Sequence, residues 1–163
     1  MSNQPALRIR DATSGDVPSI HGLIGELADY EKLRHAFIGH AEDLSRHLFG
    51  EPRYAWALVA EREGAVVGFA LYFFNYSTFL CRPGIYLEDL YVQPAQRRRG
   101  VGLALLTELA RRAHARGCGR LEWAVLDWNA PSIAFYRQLG AEPMQEWTTF
   151  RLTGDALTRL AKS

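Results

Sequence analysis

The chain begins with two different rhythms of apolar and polar residues. Residues 7–11 alternate apolar and polar side chains, which is typical of a short strand. Residues 13–16 then have the spacing of a helix-capping box, with an acidic side chain three positions after a threonine. Apolar side chains follow at helical spacing over residues 17–27, which predicts a helix that runs to about Tyr30.

The rest of the chain shows the same strand-like and helix-like patterns, in segments bounded by glycine and proline residues. Strands are predicted over Tyr54–Arg62, Val66–Asn75, Gly84–Gln93, Arg120–Leu126 and Glu146–Leu152, and helices over Ala41–Phe49, Val101–Arg116 and a short segment from Pro131 to Gly140. The first two of these strands are joined by the turn Glu63-Gly64, which predicts a hairpin. This order of elements predicts a mixed α/β domain in which helices cover a central sheet.

Composition places the chain among ordinary globular proteins. Its 163 residues predict a single domain over residues 1–163, because domains usually contain roughly 100–200 residues. Hydrophobic residues make up 48% and charged residues 23%, which disfavours disorder, collagen and coiled coil. The 19 basic and 18 acidic residues leave a net charge of +1, whereas nucleic-acid-binding proteins usually carry a large basic excess. We therefore expect no nucleic-acid partner.

Location and metal content are suggested by the longest apolar run and by the cysteine and histidine spacing. The run over residues 65–74 is about half of the roughly 20 residues that a membrane helix needs, so it predicts a buried strand and no membrane partner. The first ten residues contain no apolar signal-peptide core, so we expect a cytoplasmic location. Cys81 and Cys118 are far apart and the histidines lack ligand spacing, so we expect neither a disulfide framework nor a metal site.

A glycine-containing turn, residues 96–102, lies between a predicted strand and a predicted helix. Gly100 and Gly102 allow backbone N–H groups to approach a ligand, and the helix N-terminus and the arginines add positive charge. This predicts a site for a diphosphate, and the alternative is an ordinary turn with solvated arginines. A Walker A loop is excluded because Gly-Lys-Ser/Thr is absent, and Leu105 stands where a dinucleotide fingerprint needs a small residue.

The motifs in and around this turn resemble those of a known family. The spacing R-x-x-G-x-G at residues 97–102, after a strand that ends Leu-Tyr-Val, resembles the coenzyme A loop of the GNAT N-acetyltransferase superfamily. Residues 86–92 and 127–136 are similar to the diamine acetyltransferase branch of that superfamily. Residues 76–78, 124–129 and 154–161 resemble its thialysine-acetylating members more than its spermidine/spermine-acetylating members. The resemblance extends over nearly the whole chain.

The resemblance implies both a fold and a reaction. The fold is α/β, with a mixed, mostly antiparallel central sheet, helices on both faces and central strands that splay apart to admit the cofactor. The reaction is transfer of an acetyl group from acetyl-CoA to a small primary amine by direct attack in a ternary complex. A homodimer with exchanged C-terminal segments is implied as well. Two other functions stay open: a non-catalytic acyl-CoA binding module and an acetyltransferase of protein amines.

The chemistry of amine acetylation makes acidic residues candidates for the site. An alkyl ammonium has a pKa near ~10.4, so about one part in a thousand is free amine near pH 7, a cost of roughly 4 kcal/mol. Carboxylates can hold the cation and take its proton, often through water. Glu88 and Asp89 are adjacent on a predicted strand. If Leu87 faces the core, strand alternation puts Asp89 on the same side and Glu88 on the other. The pair could also be a solvated edge or part of a salt bridge.

The resemblance assigns roles to individual residues. It implies that Glu88 is the general base, acting through water, and that Tyr136 protonates the coenzyme A thiolate, although the pattern alone would suit a core aromatic at 136. Asn129 is a helix-cap candidate whose counterpart in the family also contacts the pantetheine arm. Cofactor contacts are implied for Leu90 (through its N–H, as oxyanion donor), Tyr91, Val92, Arg97, Arg98, Arg99, Gly100, Val101, Gly102 and Asn129. Substrate contacts are implied for Tyr30, Glu31, Ser77, Thr78 and Asp89.

Basic residues near the implied substrate positions distinguish the chain from polyamine-acetylating relatives. Glu31 is followed by Lys-Leu-Arg-His at residues 32–35, and Arg82 adds a positive charge near the substrate loop. A polyamine site needs a strip of carboxylates to neutralise several charges. The favoured substrate is therefore a shorter amine with its own carboxylate, such as a lysine-like amino acid, and a di- or polyamine is the alternative.

Overall fold

The computed structural model describes residues 6–163 and contains five strands and five α-helices. The strands are β1 (Arg8–Asp11), β2 (Trp56–Arg62), β3 (Ala65–Ser77), β4 (Arg82–Val92) and β5 (Arg120–Trp123). The helices are α1 (Val17–Tyr30), α2 (Ala41–Phe49), α3 (Val101–Ala115), α4 (Ala130–Gln138) and α5 (Gly154–Ala161). The predicted order of strands and helices is confirmed as far as α4.

The five strands form one mixed sheet in the order β1-β2-β3-β4-β5. The first three pairings are antiparallel and the last, between β4 and β5, is parallel. The predicted hairpin joins β2 and β3, and both turn residues, Glu63 and Gly64, have positive φ angles. The expected mostly antiparallel α/β sheet is thereby confirmed.

Helices cover both faces of this sheet. On one face, which we call the α1 face, α1 and α2 pack against a buried cluster of Ile20, Leu23, Leu27, Leu48, Ala57, Val59, Phe69 and Tyr91. On the other face, α3 packs against β3 and β4 and donates a hydrogen bond from Arg112 to the hydroxyl of Tyr72. Each fully buried large aliphatic side chain in such a core contributes about 1.5–3 kcal/mol.

The capping pattern predicted before α1 is present in the structure. The Thr13 N–H donates to Asp16 Oδ2 over 2.7 Å, and the Thr13 hydroxyl donates to the same oxygen over 3.0 Å. Arg10 pairs with this carboxylate as well, and its hydrogen bonds are the largest cause that lowers the pKa of Asp16 to about 2. The start of α1 is therefore tied to β1.

The chain divides into two compact units, one up to Ala124 and the other over Val125–Ser163. The second unit contains α4 and α5, and the predicted single domain stays a prediction. The predicted strand over Glu146–Leu152 is wrong: these residues are turn or coil, and Trp147 and Phe150 are 76% and 92% exposed. A strand needs a neighbouring strand for its hydrogen bonds, and no ladder of the described chain includes this segment.

A β-bulge interrupts β4 in the middle of the sheet. Asp89 pairs with Leu71, whereas Leu87 pairs with Tyr72, so Glu88 is an extra residue without a partner on β3. Leu71 and Tyr72 point to opposite faces of the sheet, and paired residues share a face. Asp89 therefore lies on the α1 face and Leu87 on the α3 face. The prediction that Asp89 shares the side of Leu87 is wrong, because the extra residue resets the alternation.

The central strands separate beyond the bulge. The ladder between β4 and β5 ends at the pair Leu87 and Trp123, whereas β4 continues to Val92. The predicted strand to Leu126 is therefore too long at its C-terminal end. This early end of the ladder is the splay that was expected between the central strands.

Candidate active site

The bulge brings Asp89 next to other acidic groups on the α1 face. Burial is the largest cause that raises the pKa of Asp89 to about 6, and the negative charges of Glu88 and Glu31 contribute to the same rise. Burial alone also raises the pKa of Glu31. We call Glu31, Glu88 and Asp89 the acidic pocket. The structure thus brings Glu31 close to the pair Glu88 and Asp89, which the sequence had singled out separately from it.

Glu31 is held in this pocket by the end of α1. Tyr30 is the last residue of the helix, and the Glu31 N–H closes it by donating to the Leu27 carbonyl over 2.9 Å. The C-terminal end of a helix carries a partial negative charge, which adds to the charge of the carboxylate. The pocket is therefore suited to a cation.

A polar strip continues from the acidic pocket along the same face of the sheet. Tyr86 lies beside Glu122 on β5, and burial together with the charges of Glu88 and Glu122 raises the pKa of Tyr86. Asn75 donates to Glu122 Oε1 over 3.5 Å. A methyl group on Gly84 would overlap Asn75 Oδ1, so the absence of a side chain at 84 leaves room for this amide.

The polar strip ends in positive charge. Arg82 pairs with Ser77 and Arg120 pairs with Gly84, which places both arginines on the α1 face together with Glu122. Both are exposed, and neither takes part in an ion pair within residues 6–163. The sequence had indicated Arg82 but not Glu122 or Arg120. Their alternation with apolar neighbours on a short strand was the available signal.

The predicted substrate loop is an ordinary turn at the end of β3. The Ser77 hydroxyl accepts a hydrogen bond from the Leu80 N–H over 3.2 Å, and the Thr78 carbonyl accepts one from the Cys81 thiol over 3.3 Å. Ser77 belongs to the polar strip, whereas Thr78 is exposed within the turn.

The predicted diphosphate site is an exposed turn that leads into α3. Gly100 caps the helix with φ 76°, in the left-handed region that favours glycine, and space around it is open. The first N–H groups of α3 follow directly, with Val101 and Gly102 as its first residues. Backbone donors, helix N-terminus and neighbouring arginines fit a pyrophosphate group.

One residue beneath this turn, Arg62, was not indicated by the sequence. Arg62 on β2 is only 8% exposed and donates to Gln96 Oε1 over 2.8 Å, while its Nε has no hydrogen-bond partner within the described chain. Gln96 also accepts from Arg99 over 3.5 Å. A buried arginine adds positive charge below the turn. No local pattern distinguishes such an arginine from a solvated one.

Arg97 has contacts different from those of the other arginines of the turn. Its guanidinium carbon lies 5.0 Å from the ring centroid of Tyr30 and 5.3 Å from that of Tyr91. Its Nε donates to the Val92 carbonyl over 2.9 Å. The side chain therefore connects the end of β4 with the end of α1.

Two predicted site residues belong to the second unit. Asn129 is the N-cap of α4, and its side chain accepts a hydrogen bond from the Ser132 N–H over 3.4 Å, as the capping prediction required. Tyr136 lies two residues before the end of this helix. Within residues 6–163, no cluster of histidine, cysteine, aspartate and glutamate could hold a metal ion. None of the described helices is both long and apolar enough to span a bilayer.

Comparisons with known proteins agree with this geometry. The family model described as "Acetyltransferase (GNAT) family" matches residues 25–141. Thialysine N-epsilon-acetyltransferase from Bos taurus is 42% identical over 94% of this chain and 96% of its own length. L-ornithine N5-acetyltransferase from Arabidopsis thaliana is 35% identical over 95% of this chain and 88% of its own length. A solved integron cassette protein from V. cholerae superposes with a TM-score of 0.81 at 28% identity, covering 96% of this chain and 98% of that one.

Proposed function

The chain belongs to the acetyltransferase (GNAT) family, and we propose that its acetyl acceptor is the side-chain amine of a lysine-like or ornithine-like amino acid. The chain is an acetyl-CoA-dependent N-acetyltransferase, since the family model covers most of it and its relatives acetylate amines. The observation that carries the choice of substrate is the polar strip, which begins in the acidic pocket and ends at two arginines.

The acidic pocket suits the reacting amine. Glu31, Glu88 and Asp89 provide the negative charge that holds an alkyl ammonium, and partial burial strengthens that attraction. We assign proton removal to Glu88, acting through water, because it is exposed at the bulge next to Asp89. The pKa of Asp89 near 6 means that the pocket becomes fully charged only above that pH.

The cofactor is assigned to the turn and to the splayed end of β4. The main chain of Leu90, Tyr91 and Val92 extends beyond the last pair with β5, which supports its role as the contact for the pantetheine arm. Backbone N–H groups around Gly100 to Gly102 and the side chains of Arg98 and Arg99 suit the diphosphate. Asn129 and Tyr136 keep the roles that the resemblance implies, as pantetheine contact and as proton donor to the thiolate.

The spacing along the polar strip supports an amino-acid substrate. Two residues along a strand span about 7 Å, which is near the length of an extended lysine side chain. If the side-chain amine of the substrate is held at Glu88, its α-ammonium group lies near Glu122 and Asn75, two residues along the same face of the sheet. Arg120 lies a further step along and can meet the carboxylate. A polyamine would instead place positive charge against Arg82 and Arg120.

A substrate panel tests this proposal. In a thiol-release assay with acetyl-CoA, thialysine, ornithine and lysine are expected to give higher kcat/KM than spermidine. Arg120→Met should raise KM for the amino acids about threefold and leave that for cadaverine unchanged, because an exposed ion pair is worth ~0.2–1 kcal/mol. Arg8→Met, on the far edge strand β1, is the matched control. A preference for spermidine would overturn the assignment to an amino acid.

The cytoplasmic location and the homodimer expected from the sequence remain predictions. Support for a dimer comes from the exposed apolar side chains of the second unit, Met144, Trp147, Phe150, Leu152, Leu157 and Leu160. Apolar groups at this density usually mark an interaction surface. Light scattering should give twice the monomer mass, and Phe150→Ser should shift the population towards monomer. A monomeric wild-type protein at micromolar concentration would contradict the proposal.

A further inference from the structure

Arg97 differs from the other arginines of the turn because its side chain contacts two tyrosine rings and the main chain of β4. Its guanidinium group contacts the rings of both Tyr30 and Tyr91, and its Nε donates to the Val92 carbonyl. No carboxylate in residues 6–163 forms an ion pair with it. Arg98 follows with a φ of 60°, so the backbone changes direction directly after Arg97.

One side of this contact is a fixed surface. Tyr91 is buried in the core of the α1 face and pairs with Phe69 on β3. Burial and a hydrogen bond to Glu26 raise the pKa of Tyr91. Glu26, on α1, also accepts from the Gln93 amide over 3.4 Å. Arg97 thus rests on residues whose positions are set by the sheet and by the middle of α1.

The other side of the contact is the last residue of α1. Tyr30 is partly exposed and precedes Glu31, a member of the acidic pocket. Arg97 therefore connects the end of β4 with the helix terminus that presents Glu31.

We propose that Arg97 is a positioning residue for the amine site rather than a ligand of the diphosphate, and that it fixes the end of α1 and with it Glu31. The amine-site part of this inference rests on the proposed function. A planar guanidinium stacks on aromatic rings in a way that a lysine ammonium does not reproduce. A lysine at position 97, which keeps the positive charge, should therefore not restore the contact that Arg97 makes with the two rings.

Kinetics and calorimetry separate the two possible jobs of this arginine. Arg97→Met is expected to raise amine KM about fivefold, with kcat and the Kd for acetyl-CoA within about twofold of wild type, because loss of two cation–π contacts disorders the helix end. Arg97→Lys should behave in the same way. Arg98→Met and Arg99→Met are the matched controls, and they should weaken acetyl-CoA binding and leave amine KM unchanged. Weakened acetyl-CoA binding in Arg97→Met that Arg97→Lys restores would overturn the proposal.

Amide hydrogen exchange tests the inference without any enzymatic assay, so its result does not depend on the proposed function. The Glu31 and Leu33 amides donate to the Leu27 and Ala28 carbonyls at the end of α1. Their hydrogen exchange should become about tenfold faster in both Arg97→Met and Tyr30→Leu, and no faster still in the double variant, because both remove the same contact. Unchanged exchange would overturn the proposal. Faster exchange in a protein that fails to acetylate any amine would remove only the proposed function.

Discussion

Glu88→Gln is expected to lower kcat about a hundredfold near pH 7, because positioned general bases contribute roughly 10²–10⁴-fold. It should also move the acid limb of the kcat/KM profile to lower pH. The negative charge of Glu88 contributes to raising the pKa of Asp89 to about 6, so its removal lets Asp89 ionise more readily. Thiol release measured between pH 5 and pH 9 reports both effects.

The two effects have different origins, so one experiment tests the role of Glu88 and the titration of Asp89 separately. The lower kcat reports loss of the proton acceptor, whereas the shifted limb reports the free enzyme in which Asp89 titrates. Glu63→Gln, in the exposed turn between β2 and β3, is the matched control and should change neither quantity. A variant with full kcat would remove Glu88 from the catalytic role. A limb that does not move would show that Asp89 is not the group that titrates.

Asp89→Asn is expected to make the protein more stable above neutral pH and nearly inactive. The folded state raises the pKa of Asp89 from its ordinary 3.8 to about 6, so the ionised carboxylate destabilises the fold. This cost is small below pH 4, where the group is protonated in the folded state, and is complete above pH 6. Two pKa units correspond to at most about 3 kcal/mol, and the amide avoids most of it.

Urea denaturation at two pH values checks the sign of this effect. The free energy of unfolding of Asp89→Asn should exceed that of wild type at pH 8, and the difference should fall below about 1 kcal/mol at pH 4. Asp127→Asn, at an exposed aspartate, is the control and should show no such pH dependence. A variant that is less stable at pH 8 would mean that the ionised carboxylate has a favourable partner in the fold. The expected gain in stability with loss of activity is typical of a functional site that keeps charges close together.

Local patterns were enough to predict most helices and strands. The helix over Ala41–Phe49 is confirmed at both ends. Its C-terminal end could be predicted because Gly50 follows it directly. The hairpin between β2 and β3 is confirmed, since only a two-residue turn separates two apolar runs. The predicted strand to Leu126 ends early, and that over Glu146–Leu152 is absent. A strand depends on a partner elsewhere in the chain, so its own apolar residues do not determine it.

Patterns along the chain were enough to predict the order of the elements as far as α4, the glycine turn before α3 and the acidic pair at Glu88 and Asp89, because these depend on neighbours along the chain. The register of the folded sheet was needed to place Asp89 on the α1 face, and the fold was needed to show that Arg97 contacts Tyr30 at the end of α1. A bulge is a property of the register between two strands. The aromatic rings that a guanidinium group contacts depend on which residues the fold places near it. Glu122 joined the site for the same reason, since parallel pairing with β4 set its place beside Tyr86.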